Sequence, residues 1–317
     1  MKRFKFKVAA SDDGARLDQF LAQSGLELSK RKIRQVIDVG GVYQNRKRVR
    51  VASRTVRTGD VLEVEFDLAR LSKIRANTFE LTDDDILYED DGIIVINKPP
   101  GLPTQATRDQ SIVHVETCLK AWFKSSPGRV MPSRLILVHR LDKETSGALI
   151  VAKNENIATW LTDQFRERDV GKNYEAISFG VPPEKKFIQR CYLSPIDKRT
   201  GQVEPVKSGG KSSETSFELI SKSAVAPVSS IRCLPKTGRS HQIRVHLDMF
   251  GLSIVGDKKY YKGRKQISDE LATLAAEHHF LHAAEIAFSP APGKDPIIVK
   301  AKRPKNFSAF LESAGLA

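Results

Sequence analysis

Beyond residue 85 the chain is cut into short runs rich in β-forming residues, IIVIN, ALIVA, YEAISFG, TSFELI, IRCL and HQIRVHL, set apart by glycine and proline. These runs have strand length and do not alternate regularly with long helical stretches, which disfavours a doubly wound parallel sheet. They predict an α+β fold around a large mixed, mainly antiparallel sheet with flanking helices. The longest apolar stretches, Ile93–Ile96 and Leu149–Ala152, fall far short of the roughly 18 residues that suggest a membrane helix, so no membrane partner is expected. The N-terminus, MKRFKFKVAASDDG, alternates basic and apolar residues and lacks the apolar h-region of a signal peptide. A cytoplasmic location is expected.

The first seventy-odd residues read as a separate, small α+β module. Leu17, Phe20 and Leu21 recur at helical spacing, and Gly25 is placed to end that helix. Ser29 is a suitable N-cap for a second helix with Ile33, Val36 and Ile37 as its apolar stripe. Lys30, Arg31 and Arg34 fall on the adjoining face. Gly40-Gly41 breaks the helix, Val42–Gln44 reads as a short strand, Asn45–Arg48 as a basic turn, and Val61–Phe66 as an alternating strand. Residues 67–85 show no sustained period and read as a linker, so the domains are placed at 1–75 and 86–317.

Charge follows that division. Residues 1–75 hold 18 Lys/Arg against 9 Asp/Glu, a net of +9 out of the chain's +14. Basic charge concentrated at one end is the footprint of a polyanion binder, and Lys30, Arg31, Arg34, Arg46, Lys47 and Arg48 are the candidate phosphate contacts. The pattern RLDQFL, then SKRKIRQVIDVGGVYQN, then GDVLEVEF resembles the RNA-binding domain named after ribosomal small-subunit protein four, over about residues 15–66. Arg46 stands where that domain usually has a small turn residue, often Gly.

The most informative string is His139-Arg140-Leu141-Asp142-Lys143-Glu144-Thr145-Ser146-Gly147. An aspartate between Arg140 and Lys143 at the mouth of a strand is kept ionised by neighbouring cations, and such a carboxylate can act as nucleophile or electrostatic stabiliser at a sugar carbon. By itself the string reads better as a loop salt bridge. It resembles, however, the HRLD-x-x-TSG motif of the RluA-type pseudouridine synthases. Further segments resemble that family in order: Asn97-Lys98-Pro99-Pro100-Gly101, Lys172-Asn173-Tyr174-Glu175-Ala176, Gly210-Lys211 with Thr215, Thr237–His246, Gly256-Asp257 with Tyr260, and Leu281-His282-Ala283. The resemblance spans roughly residues 86–307. Ser240 replaces the usual Thr, and His279 stands where Arg is common.

That resemblance implies an enzyme that isomerises uridine to pseudouridine in structured RNA, with large-subunit ribosomal RNA or its precursor as the expected substrate. It implies Asp142 as the group acting at the ribose, by addition or by removal of a sugar proton, with Tyr174 stacked on the flipped uracil and Arg244 paired with Asp142. Arg140 fills the space that the base vacates, and Lys98, Arg239 and His241 belong to the substrate-binding wall, Lys98 by shaping a loop. His139 reads as structural. Two other classes stay in view: a non-catalytic RNA-binding or assembly factor, which should lack Asp142, Tyr174 or Arg244, and a glycoside hydrolase using Asp142 with Glu144 or another carboxylate.

No nucleotide-binding glycine motif occurs, so no cofactor is expected. His241/His246 and His278/His282 (the latter four apart on a possible helix) lack an accompanying H-E-x-x-H signature, and no metal is expected. The three cysteines, odd in number and far apart, read as buried reduced thiols. Nothing in the sequence calls for an obligate protein partner.

Overall fold

The computed structural model describes residues 2–38, 40–67, 79–106, 112–125, 128–261 and 267–316. Two compact units divide the chain, Met1–Thr78 and Phe79–Ala317.

In the first unit β1 (Lys2–Lys7), α1 (Leu17–Gln23), α2 (Lys30–Asp38), β2 (Val42–Gln44), β3 (Lys47–Val49) and β4 (Val61–Phe66) build an antiparallel sheet, order β1-β4-β2-β3, covered by two helices. The apolar stripes Leu17/Phe20/Leu21 and Ile33/Val36/Ile37 meet in one core with Val42, Leu62 and Val64. The basic–apolar alternation of the N-terminus is an edge strand whose Phe4 and Phe6 pack on that core. Ser29 caps α2, its hydroxyl accepting from the Lys32 amide at 3.3 Å. The basic turn is shorter than its sequence suggested: Lys47 and Arg48 already lie in β3, and only Asn45 (φ 51°) and Arg46 (φ 64°) make the reversal. Two consecutive left-handed residues form the mirror-image turn that suits a hairpin's twist.

The second unit comprises β5 (Ile86–Glu89), β6 (Ile93–Lys98), α3 (Val115–Ser125), β7 (Ile136–Leu137), β8 (Ser146–Ala152), α4 (Glu155–Glu167), β9 (Gly171–Phe179), β10 (Lys186–Leu193), β11 (Pro205–Val206), β12 (Lys211–Lys222), β13 (Val228–Pro235), α5 (Gln242–Met249), α6 (Asp269–Leu274), β14 (Leu281–Phe288), β15 (Ile297–Lys300) and α7 (Lys305–Ser313). One 11-stranded sheet runs β11-β10-β12-β13-β9-β14-β8-β6-β5, with β15 added to β14 and β7 to β8. All pairs are antiparallel except β14 with β8. The runs IIVI and ALIVA are continuous because both faces are covered: Ile94, Ile96, Leu149 and Val151 pack with α3, while Ile93, Val95, Ile150 and Ala152 pack with α4. At the parallel seam Gly147 (φ 113°) lies so close to Ala283 that a Cβ would sit 2.2 Å from its carbonyl oxygen. Only glycine lets β8 begin there.

HQIRVHL is a helix, not the strand its β-forming residues suggested. Ile243, Val245 and Leu247 pack into apolar cores, but Gln242, Arg244 and His246 between them are equally buried. The period of two separates residues that pack from residues that find polar partners, rather than inside from outside. His278 and His282 likewise do not share a helix: His282 begins β14, between the Ser146 hydroxyl at 2.9 Å and the Ala301 carbonyl at 3.2 Å. The cysteines are all free, with Cys118 and Cys233 buried and Cys191 half-buried.

Several histidines are architectural and neutral. His139 accepts the Ile150 amide at 2.9 Å and stacks on Phe165. His246 bridges Ser213 and Thr215, both at 2.9 Å. The Ser213 hydroxyl donates to the Cys191 carbonyl and so accepts from His246 Nε2–H. Burial lowers the pKa of His139 to about 3 and of His246, His241 and His279 to about 4. His282 is also lowered by burial.

Two outcomes follow. An unfolded chain takes up protons at these histidines below about pH 6.5 while the folded one does not. Denaturant stability is therefore unaffected above that pH and falls as pH drops from about 6.5 towards 4, by up to about 1.4 kcal/mol per pH unit per histidine. Urea titrations at pH 7 and 5 check this, and equal midpoints would contradict it. Arg46→Gly relieves the left-handed strain and strengthens the β2–β3 hairpin by roughly 0.5–1 kcal/mol, read as slower amide exchange across Val42–Val49.

Candidate active site

Asp142 sits in the loop between β7 and β8, and six contacts hold that loop. The Thr104 hydroxyl donates to the Leu141 carbonyl at 2.7 Å and accepts the Leu141 amide at 3.2 Å. The Thr145 amide closes a turn onto the Asp142 carbonyl at 3.1 Å, and the Thr145 side chain meets His279 at 2.9 Å. The Gly101 amide and the Lys98 ammonium both donate to the Lys143 carbonyl, at 2.9 and 3.0 Å. A carboxylate on a segment so fully bonded has its backbone position set before any substrate arrives.

From that loop Asp142 projects into an open cleft that it shares with Arg140, Tyr174, Arg239, His241 and Arg244. Its Oδ2 accepts from Arg244 Nη1 at 2.9 Å. Arg244, on α5, also holds Asp257 through Nε at 2.7 Å and Nη2 at 2.9 Å. The Asp257 carboxylate is fully buried and further accepts the amides of Lys259 and Tyr260. Arg244 lies over the Tyr260 ring, 4.9 Å from its centroid. Burial opposes ionisation of Asp142, but His241 when protonated, and Arg244 at any pH, outweigh it and hold the carboxyl below its usual range.

The His241 ring is fixed by the same residues. The Tyr260 hydroxyl accepts the Val203 amide at 2.8 Å and meets His241 Nδ1 at 2.7 Å. Burial keeps His241 a neutral imidazole, and its Nε2 faces Asp142 Oδ2 at 3.8 Å. Its backbone is left-handed (φ 55°) at the start of α5, an unusual setting for a non-glycine residue. Tyr174, half-buried on β9, lines the cleft, and burial together with the Asp142 charge pushes its phenol pKa up. It is a neutral aromatic face beside an ionised carboxylate.

Of the residues expected at the site, Asp142, Tyr174, Arg244, Arg140, Arg239 and His241 all line this cleft. Arg140 is exposed at its rim. Lys98 is not in the cleft. It is fully buried, donating to the carbonyls of Pro99 (3.0 Å), Leu102 (2.9 Å) and Lys143, so it shapes the loop and does not touch a ligand. Burial lowers its pKa to about 7, against the pull of Glu144 and Asp142. Glu144, one candidate for a glycoside hydrolase's second carboxylate, is turned to His278. In the first unit Lys30, Arg46, Lys47 and Arg48 are exposed, Arg48 donating to the Tyr43 hydroxyl at 2.6 Å. Arg34 is paired with Asp18 at 3.0 Å, and the Arg31 side chain falls outside the described residues.

Sequence reasoning assigned no role to Asp257, Tyr260, Thr104 or His279. Asp257 was detectable in principle, since a buried guanidinium needs a counter-charge and Gly256-Asp257 follows an apolar run.

Residues 92–249 match the family described as RNA pseudouridylate synthase, and residues 15–62 match the S4 domain. The ribosomal large subunit pseudouridine synthase C of Vibrio vulnificus (strain CMCP6) is 31% identical over 323 residues, covering 98% of this chain and 97% of that protein. The enzyme of the same name from Escherichia coli (strain K12) is 34% identical over 296 residues, covering 90% and 89%. Among solved structures, human RNA Pseudouridylate Synthase Domain Containing 4 superposes with a TM-score of 0.59 at 26% identity, covering 73% of this chain and 92% of that one. A carboxylate, an arginine and a tyrosine in one cleft, and relatives matching nearly end to end, agree: the chain belongs to the RNA pseudouridylate synthases, enzymes that isomerise uridine in RNA, and carries an S4 domain ahead of the synthase fold.

Proposed function

We propose that Asp142 is the group that acts at the ribose, and that the substrate is a uridine of large-subunit ribosomal RNA modified in the cytoplasm. The observation that carries the first part is the bridge Asp142–Arg244–Asp257, which keeps an ionised carboxylate at the floor of the cleft. The names of the relatives carry the second.

The target uridine leaves its stack to expose the sugar and base edge, and Arg140 at the cleft rim takes the vacated place. Tyr174 stacks on the uracil. The glycosidic bond from N1 to C1′ breaks with Asp142 adding to the ribose or removing one of its protons; both courses require an ionised carboxylate. The uracil turns, C5 bonds to the same C1′ as Asp142 is released from the ribose or returns the sugar proton, the C5 proton departs and N1 gains one. No net oxidation or added group is involved, so the residues needed are those that hold, orient and stack. In the first unit the exposed cations of α2 and the β2–β3 hairpin bind the phosphate backbone.

Asp142→Asn keeps the shape but removes the charge, so tritium release from RNA labelled at uridine C5 falls to background while RNA affinity changes little. Appreciable release by this variant overturns the assignment. Replacing Lys30, Arg46 and Lys47 together by Gln weakens binding and makes the slope of log affinity against log salt shallower by about 0.7–0.9 for each contact removed. Titrations at several salt concentrations measure it, and an unchanged slope places the RNA elsewhere.

A further inference from the structure

Lys172 is the half-buried cation of the cleft that the reaction above does not use. It lies two residues before Tyr174 on β9, so the two side chains leave the same face of the strand, and both line the cleft. Its ammonium has one long contact, to the Thr237 carbonyl at 3.5 Å, and no ion pair among the described residues. The charges that reach it are cationic. Arg168 comes from the C-terminus of α4, where it holds a left-handed backbone (φ 70°). Arg239 comes from the turn before α5, its Nε already fixed on the Ser212 carbonyl at 3.0 Å. Neither Arg168 nor Arg239 forms an ion pair among the described residues. Burial first, then these two guanidiniums, lower the Lys172 pKa to about 8.

Two cations from two elements, both lining the cleft and one of them half-buried, repel each other and are unfavourable without an anion between them. A nucleotide supplies that anion at a set place: a ribose held at Asp142 brings its own phosphate alongside. We propose that Lys172 and Arg239 form a phosphate subsite that grips the RNA backbone next to the flipped uridine. The proposal rests on the reading of the cleft as a uridine site. It assigns to the synthase unit a backbone contact separate from the exposed cations of the first unit, one that registers the ribose on Asp142.

The test uses the full chain and a stem-loop RNA tritiated at the target uridine, with a neutral methylphosphonate in place of the phosphate on its 5′ or 3′ side. Under single turnover, Lys172→Met raises the half-saturating enzyme concentration about tenfold on natural RNA, the scale of a charge-assisted hydrogen bond. Lys172→Arg restores most of it. On one of the two methylphosphonate substrates the wild type loses a similar factor and Lys172→Met loses nothing more. That non-additivity identifies the contact, and a merely structural lysine does not produce it. Equal losses from Lys172→Met on all three substrates overturn the subsite. Should Lys172→Met fail to fold, Arg239→Gln runs the same cycle with the same two outcomes. Absence of tritium release by the wild type from any RNA would instead count against the uridine-site reading.

Discussion

Two carboxylates share one guanidinium, and the site is arranged around that sharing. Asp257 is fully buried and takes two of Arg244's donors along with two backbone amides, so the inner pair is saturated. Removing a charge from such a pair leaves the other uncompensated in a dry interior, at a cost of several kcal/mol. Arg244 is thereby held in place, and its Nη1 is left to donate to Asp142. An ion pair at the surface would be loose and screened. Here an inner carboxylate immobilises the cation that orients the outer one.

The second requirement is that Asp142 itself not move, and the fold meets it through groups that never face the cleft. Lys98 and Gly101 converge on the Lys143 carbonyl, Thr104 closes on both sides of Leu141, and His279 steadies Thr145. Gly147 then lets β8 approach β14 where a Cβ would collide with Ala283. The parallel pairing at this seam brings the Asp142 loop, β14 and β9 with Tyr174 together, so sheet topology and site geometry are one arrangement.

Much of this was legible in the sequence where a pattern had one physical meaning. Continuous apolar runs at Ile93–Ile96 and Ala148–Ala152 mean a strand covered on both faces, and the helical stripes of the first unit mean a helix pair on a sheet. HQIRVHL misled because a short run of β-forming residues was read as a strand. Gln242 and His246 are buried too, satisfied by the nearby Thr237 and by Thr215, Ser213 and the Glu214 carbonyl, and the last three, 27–33 residues earlier in the chain, leave no local signal. Lys98 shapes its loop, as its neighbouring prolines suggested, but the three carbonyl acceptors that fix it are backbone groups that no residue pattern encodes. Asp257 shows the same limit: its role depends on an arginine 13 residues earlier turning back to meet it.

The two units answer to different electrostatic regimes. In the first, Lys30, Arg46 and Lys47 are exposed and their attraction to a polyanion acts through water, screened within about 8–10 Å at ordinary ionic strength. In the second, Arg244 and Asp257 are almost wholly excluded from solvent, and salt reaches them little. The attraction of the first unit's cations for an anion is therefore salt-dependent, while the Arg244–Asp257 pair that orients Asp142 is shielded from salt. Nine of the chain's fourteen net positive charges lie in residues 1–75, so most of the net charge that salt screens belongs to the first unit.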